Sequence, residues 1–320
     1  MTQDFTLFAI VQNGRLAYEA ILLAASLQAT NPDRPLTLME PQPGSLWDED
    51  PRINNETRAL LESMGATIKP FENKVFGSTY PHGNKIEALL SLPREAPFLF
   101  LDTDTLVTGD LAQVPFNFDR PTASMRREGT WPKGPHLDTI WQSLYDRFGL
   151  DLRTSLDTRF AREDWQRYLY FNAGFFFGRD PHEFGSTYLN IAKTIRDDPP
   201  KELADQKLTP WLDQIALPLV IHKLGGGRDT IPDGLMDGAV TCHYRTLPLL
   251  YARESDATVH FIEDLAGPNK IKKVLKKYEA ARRIIYQNGG QAIRNMVRAQ
   301  NVHTEKEMRH AIKAAGLWFR

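Results

Sequence analysis

The apolar positions of the first hundred residues fall into two alternating rhythms. Phe5–Val11 is a continuous apolar run that reads as a buried strand, broken by Asn13-Gly14. From Arg15 to Ala29, the residues Leu16, Ala20, Leu23 and Leu27 recur at helical spacing until Asn31-Pro32 stops the helix. Pro35–Glu40 and Ala66–Lys69 read as short strands, separated by a helix over Asn54–Met64 that Gly65 ends. A helix over Asn84–Leu92 then precedes the apolar strand Pro97–Leu101. Strands and helices in turn imply a mostly parallel sheet flanked by helices, and such sheets bind ligands beyond the carboxyl ends of their strands. Asp102 and Asp104, directly after Phe98-Leu99-Phe100-Leu101, therefore stand where chemistry is expected.

The pattern is less regular afterwards. Pro121–Met125, Tyr168–Gly178, Thr230–Ile231, Val240–His243 and Thr258–Phe261 read as strands. His136–Gly149, Phe184–Arg196 and Trp211–Leu224 read as helices. From Gly267 the composition shifts: Lys270, Lys272, Lys273, Lys276, Lys277, Arg282 and Arg283 face Glu279 alone. Ile271, Val274, Leu275, Tyr278 and Ile285 form a helical stripe there, and Ala292–Ala299 and Glu305–Ala315 are helical too. The expected organisation is an α/β domain over 1–266 and a basic helical C-terminal extension over 267–320.

Composition narrows the class. The 320 residues are 42% hydrophobic and 25% charged, ordinary for a globular protein. A net charge of −1 gives no argument for nucleic acid as a partner. The single cysteine, Cys242, rules out an internal disulfide framework and fits a reducing, cytoplasmic compartment. The N-terminus lacks a basic segment followed by an apolar one, and no apolar run approaches the ~20 residues of a membrane span. The lysine face at 269–283 has two readings: a solvated helix surface, or peripheral contact with an anionic membrane at its inner face.

Two carboxylates two positions apart at a strand end can converge on a hard divalent cation, Mg²⁺ or Mn²⁺. The segment Phe98–Leu111, FLFLDTDTLVTGDL, resembles the strand and DxD motif of GT-A glycosyltransferases. It is most similar to the family 8 type, which includes glycogenin and bacterial lipopolysaccharide galactosyl- and glucosyltransferases. The resemblance implies a GT-A mixed sheet and a UDP-sugar donor, with Mn²⁺ or Mg²⁺ as cofactor. It also implies a glycan or lipid-linked acceptor and retention of anomeric configuration. The first strand and its loop resemble the family's nucleotide-binding start, which puts Ala9, Val11 and Gln12 beside the nucleotide. Lys85 stands where the family carries a basic residue, and Thr103 lies between the two motif carboxylates. Tyr170-Phe171-Asn172-Ala173-Gly174 resembles the strand whose Asn172 faces the donor sugar, and Asp213-Gln214 resembles the pair beside that sugar. Val259-His260-Phe261 resembles the strand giving the third metal ligand, so Asp102, Asp104 and His260 are the expected metal set. Gly267 and Lys270 correspond to the family's diphosphate contacts, although they stand farther from the histidine than its HxxGxxKPW motif has them, and Pro-Trp does not follow.

Each residue also has a plainer reading. Asp213 suits the first turn of a helix, where an acid complements the dipole. His243-Tyr244-Arg245 reads as an acceptor-facing segment. Leu99–Thr105 also fits the hhhDxDxT motif of haloacid-dehalogenase-like phosphatases, with Asp102 as nucleophile. A further alternative is a nucleotide-sugar-binding protein without turnover.

Overall fold

The computed structural model describes residues 4–125 and 131–319; the first three residues of the N-terminal segment lie outside it. In chain order, β1 (Thr6–Ile10), α1 (Arg15–Thr30), β2 (Leu36–Pro41), α2 (Asn55–Ser63), β3 (Ala66–Phe71) and α3 (Asn84–Leu89) lead to β4 (Phe98–Leu101) and β5 (Thr105–Val107). The middle carries β6 (Ala123–Met125), α4 (Leu137–Arg147), β7 (Phe171–Gly178), α5 (Pro181–Asp197) and α6 (Leu212–Lys223). Then come β8 (Thr241–His243), α7 (Leu247–Arg253), α8 (Asp256–Leu265), α9 (Asn269–Leu275), α10 (Glu279–Ala281), α11 (Gly289–Gln300) and α12 (Glu305–Ala314).

The main sheet runs β3-β2-β1-β4-β7-β6. Its first four strands are parallel, β7 is antiparallel to β4, and β6 is antiparallel to β7. Strand alternation divides the side chains between two apolar layers. Leu7, Ala9, Leu99, Leu101, Phe175 and Phe177 join one, with α1. Phe8, Ile10, Phe98, Phe100 and Phe176 join the other, with α5 and α6. Helices thus cover both faces of the mixed sheet, as the alternating rhythms require.

Two expected strands are absent. Thr230–Ile231 forms none; the segment lies between Gly225-Gly226-Gly227 and Pro232, whose missing N–H cannot extend a ladder. Thr258–Phe261 lies inside α8. Ser255 caps that helix by accepting from the Thr258 N–H, Asp256 complements its dipole, and Val259 and Ile262 bury one face. The segment after 266 is helical as expected, and it shares the core. Ile271, Val274, Leu275, Ile284, Ile293, Val297, Met308 and Ile312 bury in the layer that holds Leu7 and Leu99. Among the described residues no helix is long and apolar enough to cross a membrane.

Candidate active site

The carboxyl end of β4 opens into a cavity of ≈ 590 Å³. β4 hands over to its neighbours through backbone bonds: the Asp102 N–H donates to Gly174 O at 2.8 Å, and the Tyr244 N–H donates to Asp104 O at 2.9 Å. The ribbon of β5 and β8 pairs Thr105 with His243, so the imidazole lies next to Asp104. Nε2 of His243 is 3.1 Å from Asp104 Oδ1. One ligand atom each from Asp102, Asp104 and His243 lies within 4.8 Å of the others. Gly174 permits the approach, since a Cβ there would stand 2.3 Å from His243 Nδ1. That Nδ1 is buried and has no hydrogen-bond partner among the described residues. Two carboxylates and an imidazole with a spare nitrogen are a donor set that fits a divalent ion with affinity for both oxygen and nitrogen.

Cations steady the acids. Lys85, on the first turn of α3, reaches Asp102 Oδ1 at 2.9 Å and Asp213 Oδ2 at 3.5 Å. Burial pulls its pKa down, but the Asp102 and Asp213 carboxylates outweigh burial and raise it. Arg15 Nη1 contacts Glu19 Oε1 at 3.2 Å and Asp104 Oδ2 at 3.4 Å. Burial raises the pKa of Asp102, offset in part by Lys85. In Asp104 burial is overcome by His243 and Arg15, and its pKa falls. His243 moves the opposite way: burial lowers its pKa, and the Asp104 carboxylate more than restores it.

On the α6 side, Tyr80 Oη donates to Asp213 Oδ1 at 2.7 Å and accepts from the Asp213 N–H at 2.9 Å. Tyr188 Oη donates to Asp213 O at 2.7 Å. The acid is therefore fixed by two phenols and a lysine, beyond any role at a helix terminus. Tyr170 Oη donates to Gln214 Oε1 at 3.2 Å. Asn84 Nδ2 donates to Gln12 Oε1 at 3.1 Å. Asn172 Oδ1 accepts from the Gly174 N–H at 2.8 Å, across Ala173, whose φ of 57° is left-handed and strained for a residue with a side chain.

Of the residues expected from sequence, Gln12, Lys85, Asp102, Thr103, Asp104, Asn172, Asp213 and Gln214 all line this cavity. Ala9 and Val11 do not: alternation turns their side chains into the core, while Ile10 and Gln12 face the opening. His260 is exposed on α8, and His243 is the imidazole that meets the aspartates. The reason is the helix that Ser255 starts, which carries His260 away as part of a solvent face. Gly267 and Lys270 are exposed at the junction of α8 and α9 and do not line the cavity. Sequence reasoning missed Arg15, His82, Glu305 and Arg309, which do line it. Arg15, just after the Asn13-Gly14 break, carried the usable signal: a cation in the first turn opposes the helix dipole and needs an acid nearby.

Among solved structures, the galactosyltransferase LgtC in complex with donor and acceptor sugar analogs is 15% identical, over 84% of this chain and 99% of that one, with a TM-score of 0.46. An active-site mutant of LgtC is also 15% identical, over 83% and 99%, with a TM-score of 0.48. Mouse xyloside xylosyltransferase 1 is 12% identical, over 70% and 84%, with a TM-score of 0.41. No curated protein matches the sequence. The family model described as the Rhodobacterales glycosyltransferase domain matches residues 7–225. That span takes in β1 from Leu7 onward, the acidic pair, the Asn172 strand and Asp213-Gln214, and the chain belongs to this family of glycosyltransferases.

Proposed function

We propose that the chain is a metal-dependent glycosyltransferase of the GT-A kind. It moves a sugar from a nucleoside-diphosphate donor, a UDP-sugar, to a hydroxyl acceptor with retention at the anomeric carbon. The observation that carries this reading is the meeting of Asp102, Asp104 and His243 at the end of β4, in the wall of one cavity. These three residues would hold the ion, and an imidazole beside two carboxylates favours Mn²⁺ over Mg²⁺. When bound, the ion supplies a Lewis acid to the oxygens of the leaving diphosphate.

The chain's own groups do the rest. Lys85 offers a buried, charged ammonium beside Asp102. Asp213, locked by Tyr80 and Tyr188, accepts from hydroxyls of the donor sugar. Gln214 keeps its amide N–H groups for the sugar, because its oxygen is occupied by Tyr170. Asn172 lines the same wall. Groups fixed before the substrate arrives need little reorganisation as charge develops. The phosphatase reading is set aside by family membership, and Asp102 follows the fourth strand of the chain rather than the first.

The test is turnover of a panel of nucleotide sugars with and without Mn²⁺. Asp104→Asn is expected to lose about 100-fold or more of the metal-dependent rate, the scale of removing one electrostatic stabiliser from an active site. Full metal-dependent turnover in that variant overturns the assignment. Binding without turnover across the whole panel identifies instead a protein that keeps the site and has lost the chemistry.

A further inference from the structure

Charge is divided unevenly along the chain. Over 267–320 Lys and Arg outnumber Asp and Glu thirteen to three, while the whole chain carries a net charge of −1. An asymmetry of that size between segments points to an anionic surface as partner. In the fold, part of this charge is interleaved with aromatic rings. Lys272 and Lys276 lie over the ring of Tyr286 at 5.9 and 5.5 Å. On the same π-helical segment as Tyr286, Arg282–Tyr286, the Arg283 guanidinium lies over Phe319 at 5.7 Å. Trp318, next to Phe319, has Arg309 at 5.3 Å and Lys313 at 5.4 Å from its ring centre. Contact by contact, these residues make one strip from α9 to α12.

The strip is open to solvent. Lys276, Arg283 and Lys313 are exposed, and the three rings are half-buried. Leu317, Trp318 and Phe319 rest partly on the core and leave the remainder of their surface free. Two acids touch the cations: Glu279, 3.8 Å from Arg283, and Glu305, 2.7 Å from Arg309. At its α12 end the strip reaches the cavity, which Arg309 lines together with Glu305.

We propose that this strip docks the chain on an anionic lipid surface, with the α12 wall of the cavity beside the headgroups. Lys and Arg lay their aliphatic stems along apolar surface and keep their charge in water, which suits the boundary of a bilayer. Aromatic side chains among basic ones settle at headgroup level. Anionic headgroups attract each basic residue that comes near them. A nucleic acid would meet the same charge, but bases stack on open ring faces. Tyr286, Phe319 and Trp318 each carry a cation over the ring already. The docking goes beyond the glycosyltransferase reading and stands independently of it.

Sedimentation of the full chain with vesicles tests this without any turnover. The vesicles are phosphatidylcholine alone or an equimolar mixture with phosphatidylglycerol, and a DNA duplex serves as the rival polyanion. Wild type is expected to sediment with the mixed vesicles and not with phosphatidylcholine alone, and to lose affinity as salt rises. Lys276→Glu combined with Lys313→Glu is expected to weaken that binding about tenfold or more, since each basic residue near such a surface is worth about fivefold. Both side chains are exposed, so the fold should survive their replacement. Lys201→Glu combined with Lys207→Glu makes the same change of charge on exposed residues between α5 and α6, and is expected to leave binding little changed. Equal weakening by the two pairs, equal binding to both kinds of vesicle, or no binding of wild type to the mixed ones overturns the strip as a docking surface. Tighter binding to the duplex than to the mixed vesicles overturns the lipid surface in favour of a nucleic acid. None of these results touches the glycosyltransferase reading, which the turnover panel decides.

Discussion

His243 owes its position to a three-residue strand. β8 pairs with β5 so that His243 faces Thr105, one residue after Asp104, and Gly174 leaves room for the ring. His260 has the same chemistry and is exposed on α8. Replacing each by alanine separates them. Mn²⁺ binding, followed by calorimetry, is expected to weaken about tenfold or more in His243→Ala, since even loss of an outer partner of a metal ligand costs that much. It is expected to be unchanged in His260→Ala, and the reverse order of effects would restore His260 to the site. The acidic pair was legible in the sequence because an apolar tetrapeptide runs straight into it, and a strand end is where such sheets do chemistry. His243 was not legible in that role. It is one of eight histidines, and what selects it is the pairing of two short segments far apart in the chain. No local periodicity encodes that pairing.

Among the elements, α12 shows how a helix from the C-terminal segment is fixed against the site. Thr304 and Glu307 form a reciprocal capping box at its start, and Glu305 gathers Arg245, Arg253 and Arg309. Burial would raise the pKa of Glu305, but these arginines outweigh burial and lower it below the usual 4.5. A carboxylate with a depressed folded pKa stabilises the native state above its unfolded value, and that contribution is lost as pH falls through the folded value. Glu305→Gln is therefore expected to cost about 1.5–3 kcal/mol near neutral pH, the range for hydrogen bonds to charged groups. The gap from wild type should narrow as the pH drops below 4.5. Urea denaturation at a series of pH values measures it, and a gap independent of pH would show that Glu305 acts through packing alone. α9 carries the complementary lesson. Its apolar stripe was legible, and Ile271, Val274 and Leu275 are indeed buried. The lysines on it and just after it have partners that sequence could not name: Lys277 pairs with Glu56, and Lys272 and Lys276 lie over the ring of Tyr286 at 5.9 and 5.5 Å. Those partners come from other elements, and only the folded chain assembles them.

At the scale of the whole molecule, the chain after 266 is a structural part of the α/β body, and its α12 lines the cavity with Glu305 and Arg309. The change in composition at Gly267 marks a new run of surface lysines, and the apolar residues between them continue the core of the first half. Ile271, Val274, Leu275, Ile284, Ile293, Val297, Met308 and Ile312 share a layer with Leu7, Leu99 and Phe177. Each such side chain contributes about 1.5–3 kcal/mol on burial. Ending the chain at 266 would also expose Tyr251, whose hydroxyl bonds Glu263 and whose ring packs against Gly290. A chain of residues 1–266 is accordingly expected to be insoluble or to lack a cooperative thermal transition, although it retains Asp102, Asp104 and His243. Restoring 267–320 as a separate peptide should recover the transition only if the helices dock in register. A truncated chain that melts cooperatively at the wild-type temperature would show that the two segments fold independently. The wall supplied by Glu305 and Arg309 would then be an attachment to a complete domain rather than part of its core.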